Sequence, residues 1–263
     1  MKIELEEGAR QQVRVEASSK ATQAVDGKER DVSPAGSEST LDATVSEVVP
    51  MGAFVVIGLK PSARSAANPA VATALAESVM RVLVTPDGTI KQAGAKGPVL
   101  NNPLALKVLR DASSSLVANA LPLPTQPIGK GAKWRVTAPQ PGPLLVEQQA
   151  DIELLERTER SVKVKISGKL VANPQPIHLP GTPLFLERLA GTVEGERVIP
   201  LDRPLFAGKV TADSTQFAVA TRGGEKRKVV THTTAIRTYT ELEGAAPVPS
   251  PSSSAAATVG TEN

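Results

Sequence analysis

Apolar and polar residues alternate with a period of two along most of this chain, and that alternation predicts half-buried β-strands. In "KIELEEGARQQVRVEASSKA", Ile3 and Leu5 share one face, and Val13 and Val15 share another short run. "VSPAGSEST" carries the Pro, Gly and Ser of a loop. "TLDATVSEVVPMGAFVVIGLK" predicts one long strand or two short ones, and its Val55-Val56-Ile57 run predicts burial on both faces or a tight core contact. In "VMRVLVTPDGTIKQAG", Met80, Val82 and Val84 alternate, Pro86-Asp87-Gly88 supplies a turn, and a strand resumes at Thr89. Asp-Gly between alternating runs predicts a hairpin, because both residues tolerate positive φ. The second half repeats the theme. "DIELLERTERSVKVKIS" puts Ile152 and Leu154 before a polar turn and Val162, Val164 and Ile166 after it, with Lys163 and Lys165 facing the other way. That is an antiparallel hairpin with one wet face. Further long, Thr-rich strands are predicted from "AGTVEGERVIPLDRPLFAGKVTADSTQFAVATR" and "KRKVVTHTTAIRTYTE".

A helical period is clear only in "NNPLALKVLRDASSSLVANALPLP". Asn102 is placed to cap it, Pro103 suits the first helical position, and Pro122 and Pro124 end it. Leu106, Leu109, Leu116 and Ala120 recur on roughly one face, flanked by Leu104 and Val108. The small-residue stretch "PSARSAANPAVATALAES" reads as a loop in preference to a short helix beginning near Pro69. There is no internal repeat and no βαβ alternation. The pattern predicts a mostly-β, α+β fold: a long antiparallel sheet that curls, with one main amphipathic helix packed on its concave face. Residues 1–243 form one β-rich domain, with 1–120 and 121–243 as its natural halves. Residues 244–263, "GAAPVPSPSSSAAATVGTEN", are Ser/Pro/Ala-rich and of low complexity, too poor in large apolar groups to fold, and predict a disordered tail.

Composition sharpens this picture. Hydrophobic residues make up 40% of the 263 but aromatics only 2%, so the core must be built from Val, Leu, Ile and Ala. The net charge of +3 comes from interspersed signs and argues against a nucleic-acid partner, which needs Lys and Arg gathered on one face. The absence of Cys removes disulfides, thiolate metal sites and Cys nucleophiles. No stretch approaches the roughly 20 apolar residues of a membrane span. "MKIELEEGAR" is charged and alternating, unlike a signal peptide, so the protein is expected either in the cytoplasm or outside it after loss of a leader.

The single Trp, Trp134, sits in "LPLPTQPIGKGAKWRV" between the helix and the second set of strands. There it either plugs the end of the sheet or lines a cleft. Leu123, Pro124, Gly129 and Trp134, with Asp87-Gly88 upstream and the following hairpin, resemble an uncharacterised family of bacterial exported proteins, many of them lipoproteins, over residues 80 to 240. The resemblance implies an envelope location, periplasmic or surface. It implies no activity, and this chain lacks the lipid-carrying Cys of such lipoproteins.

Other candidate chemistry is thin. "GKGAKW" lacks the Lys-Ser/Thr ending and following helix of a phosphate loop. His178 and His232 are far apart and converge on no metal, and there is no G-x-S-x-G nucleophile elbow. Glu4, Glu6 and Glu7, and Glu194 with Glu196, read as wet-face carboxylates rather than an acid–base pair. Arg222, Lys226, Arg227 and Lys228 surround a Gly-Gly turn and read as a solvated hairpin tip or, more sharply, an anion contact. No cofactor is implied. The expectation is therefore a non-enzymatic envelope protein that holds a lipid or other apolar small molecule in a groove between helix and sheet, with Trp134, Leu106 and Leu109 lining it. The alternative is a structural or protein-interaction module with a solid core, whose partner is another envelope protein.

Overall fold

The computed structural model describes residues 1–60, 68–140, 144–177, 184–222 and 224–242, with the side chain of Arg222 excluded. The predicted tail and His178 lie outside the described residues. The first part of the chain forms β1 (Arg10–Val25), the short β2 (Lys28–Asp31), β3 (Ser37–Val49), β4 (Gly52–Lys60), helix α1 (Pro69–Ala76), β5 (Val79–Val84) and β6 (Ile90–Lys96). A single 3-10 turn, Pro98–Asn101, leads into helix α2 (Pro103–Asn119). The second part forms β7 (Lys133–Gln140), β8 (Val146–Arg157), β9 (Ser161–Ala172), the short β10 (Gln175–Ile177), β11 (Leu184–Pro200), β12 (Ala207–Arg222) and β13 (Glu225–Glu241). All thirteen strands join one antiparallel sheet, ordered β6-β5-β4-β3-β1-β13-β12-β11-β9-β8-β7, with β2 beside β1 and β10 beside β11.

Two meanders are visible in that order. One runs from β1 out to β6 and the other from β7 back to β13, and between strands they meet at the β1–β13 pairing alone, from Val13 opposite Glu241 to Val25 opposite Val229. Helix α2 links the far edges and touches both β6 and β7. Its Ala105, Leu109, Ser113 and Leu116 face the sheet. The main core lies beneath it, built from Val13, Leu41, Val55, Ile57, Met80, Val82, Ile152, Leu154, Val164 and Ile166 among others. A smaller cluster of Leu144, Ile177, Leu186, Leu189, Ala218 and Val229 packs at the other end of the long strands.

Three expectations need correction. The predicted curled sheet with one main helix is instead an open sheet, neither closed nor strongly curled, accompanied by two helices. Closure would require β6 to pair with β7. These strands stay apart, and α2 contacts each of them. The second helix is α1, in the stretch read as a loop. Asn68 Oδ1 accepts from Val71 N at 3.3 Å, Pro69 opens the first turn, and Val71, Ala74 and Leu75 are buried. Its many alanines, taken as loop-like, are the best helix formers once a cap is present. The third correction concerns Ile3 and Leu5, which belong to no strand. This segment crosses between the two meanders: Ile3 N donates to Pro86 O and Glu4 N to Leu201 O, both at 2.7 Å.

The Pro86-Asp87-Gly88 turn does join β5 to β6, and Gly88 takes φ 84°, a region that a side chain would strain. Burial pushes the Asp87 carboxyl up. Hydrogen bonds from Thr85 Oγ1, Thr89 N and Thr89 Oγ1 outweigh that and hold it below the usual carboxylate range. A depressed folded-state value means that the stabilisation is present above the unfolded value, about pH 4, and is lost as pH falls through the folded one. Asp87→Asn should therefore cost about 1 kcal/mol at pH 7 and progressively less below pH 4, read from urea unfolding at both ends of that range.

Candidate functional site

The helix–sheet interface was the expected ligand site, and its geometry follows from how α2 is anchored. At the N-terminus Asn102 Oδ1 accepts from Ala105 N at 3.1 Å. At the C-terminus the last carbonyls need donors, and the negative end of the helix dipole favours a cation. Arg197, on β11, supplies both. One Nη donates to the Asn119 carbonyl, and the other donates to Asn119 Oδ1 at 2.6 Å. Arg197 is only 3% exposed and has no carboxylate partner among the described residues. Its guanidinium lies 4.6 Å from the Phe206 ring centroid, and Phe206 meets Tyr239 edge-on at 4.8 Å. Burial lowers its pKa to about 10, so it stays charged at neutral pH. Two further contacts pin the middle of the helix: Arg237 Nη1 donates to Ser115 Oγ at 3.0 Å, and that oxygen lies 3.4 Å from the Tyr239 hydroxyl.

Sequence reasoning missed Arg197, although the signal was there. In "LAGTVEGERVIP" the same period-two face carries Val193, Gly195, Arg197 and Ile199, so one cation falls in an apolar row. On such a face it must find carbonyl acceptors or an anion.

Of the residues expected to line a groove, one is fully in the core and two are half-buried against it. Leu109 is 1% exposed, and Leu106 packs half-buried against the main core. The void bordered by Asn119, Leu121, Arg197, Ile199 and Phe206 measures about 20 Å³, room for a single water. Trp134 is half-buried on the edge strand β7, and its indole N–H donates to Pro122 O at 3.0 Å. The ring thus fastens the proline stretch after α2 to the strand that follows, which accounts for the place of the only Trp. Trp134 and Ile152 also border a 480 Å³ surface depression, together with Ser167 and four charged side chains. There Arg135 pairs with Asp151 at 2.8 Å and Lys133 with Glu153 at 3.4 Å, and the bond from Arg135 holds the Asp151 carboxyl below its ordinary range.

Strand alternation divides the basic tip. Lys226 and Lys228 share the sheet face turned away from α2, whereas Arg227 lies on the other face, near Asp26 at 3.9 Å and Glu225 at 3.4 Å. His232 is exposed, and its Nδ1 lies 2.9 Å from Thr215 Oγ1. Glu194 and Glu196 are exposed, and Glu196 holds Lys163 at 2.7 Å, raising the lysine pKa through that bond. Among the described residues no three His, Asp or Glu side chains are grouped to hold a metal, and no helix is long and apolar enough to cross a membrane.

No protein-family model and no curated protein matches the chain. The resemblance to exported bacterial proteins therefore rests on the short motif around Trp134.

If Arg197 clamps the helix terminus, Arg197→Ala should cost about 3 kcal/mol, because it strands two half-buried acceptors on Asn119 and opens a cavity. Arg197→Met keeps the volume and removes the buried charge, and should cost clearly less. The urea midpoints of the two variants give the comparison.

Proposed function

We propose that this chain is a non-enzymatic interaction module that acts through its surface and encloses no ligand beneath its helix. The observation that carries this reading is the filled helix–sheet interface. Leu109 and Leu116 are buried there, and the void beside the helix end is about 20 Å³. A site for a small organic molecule occupies about 300–1,000 Å³. This reading assigns recognition to the outward sheet face and the hairpin ends. The bacterial cell envelope is the location proposed with this reading, and it rests on the resemblance alone.

Native mass spectrometry of the purified protein, before and after solvent extraction, tests the reading. The expected result is the apo mass, unchanged when the protein is incubated with an envelope lipid extract and then gel-filtered. One lipid per chain retained through gel filtration would overturn it and restore the apolar groove, with Leu106, Leu109 and Trp134 as the residues to substitute.

A further inference from the structure

The outward face of the sheet, the one turned away from α2, carries two apolar areas: one around Phe54, Val56 and Leu83 on β4 and β5, and a second, bordered by more cations, near the β12–β13 tip. Lateral pairing there builds two adjacent rows. The first runs Pro176, Phe185, Val219, Lys228; the second runs Arg188, Phe217, Val230, Ala24. Phe185 is 45% exposed. Phe217 is half-buried, with the Arg188 guanidinium 4.4 Å from its ring centroid. In a chain with four Phe, placing two of them side by side on the solvent face runs against the burial that aromatics normally seek. The register shift between Leu186 and Arg188 produces this placement: the extra residue brings Phe185 and Arg188 onto the same face.

Cations border the patch. Arg188, Lys226 and Lys228 are exposed, and none forms an ion pair among the described residues. Four carboxylates are near: Glu29 continues the second row beside Ala24, Glu187 sits in the bulge, Asp26 Oδ1 accepts from Lys228 N at 3.2 Å, and Glu225 adjoins Lys226; Asp26 and Glu225 both lie against Arg227. Protein–protein interfaces are depleted in Lys, whereas aromatic side chains beside lysines suit the boundary of an anionic bilayer. There the rings enter the acyl boundary and the long cationic side chains reach the headgroups.

We propose that this patch docks the protein on an anionic lipid bilayer, with Phe185 and Phe217 entering the interface and Arg188, Lys226 and Lys228 on the headgroups. The proposal names the partner of the surface module described above and rests on that reading. Retention of a single extracted lipid tests the module, whereas partition onto a bilayer tests the patch, so the two can fail separately.

Co-sedimentation of the full chain with vesicles of phosphatidylcholine, with and without phosphatidylglycerol, is the test. Binding should be at least about tenfold stronger with the anionic lipid and should weaken with salt. Lys226→Gln with Lys228→Gln should weaken it about 20-fold, and Phe185→Ser roughly tenfold. Both variants alter exposed side chains, and unchanged urea midpoints would show that they fold. Absence of binding to either vesicle overturns the proposal, as does binding indifferent to lipid charge or to both variants. Failure to bind vesicles, combined with a protein adduct cross-linked through position 185, would assign the patch to a protein partner and overturn the lipid assignment.

Discussion

The β1–β13 pairing carries the architecture. Every other neighbouring pair in the main strand order belongs to one meander or the other, so without this seam the chain would form two separate sheets. The contacts across the seam are long-range, and they draw in other connections. Gln11 of β1 accepts a hydrogen bond from Leu205 N at 2.8 Å through its buried side chain, and Leu242 N donates to Gln12 O at 2.9 Å. The segment around Ile3 and Glu4 bridges the two halves at the same end. Helix α2 completes the linkage from the opposite direction, because it follows β6 and precedes β7 while Arg197 of the second meander holds its end. Such non-local pairing favours a cooperative and slow-folding structure.

Burial differs sharply between the two sides of the sheet. On the helix side Val55, Ile57, Met80, Ile152 and Val164 are fully buried, and even the cation of Arg197 is enclosed. On the outward side the strands carry exposed ion pairs such as Arg81–Glu47 and Lys163–Glu196, together with hydroxyl contacts such as Thr234 to Asp213. Exposed pairs of this kind contribute little to stability. They leave much of that side hydrated, and the two apolar areas, around Phe54 and Leu83 and around Phe185 and Phe217, interrupt it. The buried core lies on one side of the sheet, and the surface proposed for recognition lies on the other.

Local signals in the sequence were reliable where one residue type dictates the backbone. Pro86-Asp87-Gly88 fixed a turn, and Asn102-Pro103 fixed a helix start, because both are written in neighbouring residues. The sheet faces around Val162 to Ile166 were equally legible from alternation. Sheet order was not, since pairing β1 with β13 depends on contacts between opposite ends of the described chain. Nor was openness, which is decided by whether β6 and β7 meet. Helix α1 was obscured because Ala and Ser serve loops as well as helices, and its cap, Asn68, carried the deciding information. Leu106 and Leu109 lie on helix α2 and Trp134 on the edge strand β7. Apolar character suits core packing and cavity lining alike, and periodicity alone does not distinguish the two.

The seam also has a history within each molecule. During synthesis β1 emerges before β13, which follows on the order of 200 residues later, and at ribosomal rates that takes roughly ten to forty seconds. Throughout that interval β1 can pair with β3 but lacks its other neighbour, so a long row of backbone donors and acceptors stands open on the nascent chain. Two ribosomes on one message would bring such rows close together. The topology that unites the finished sheet therefore makes its own assembly a race between β13 of the same chain and β1 of the next.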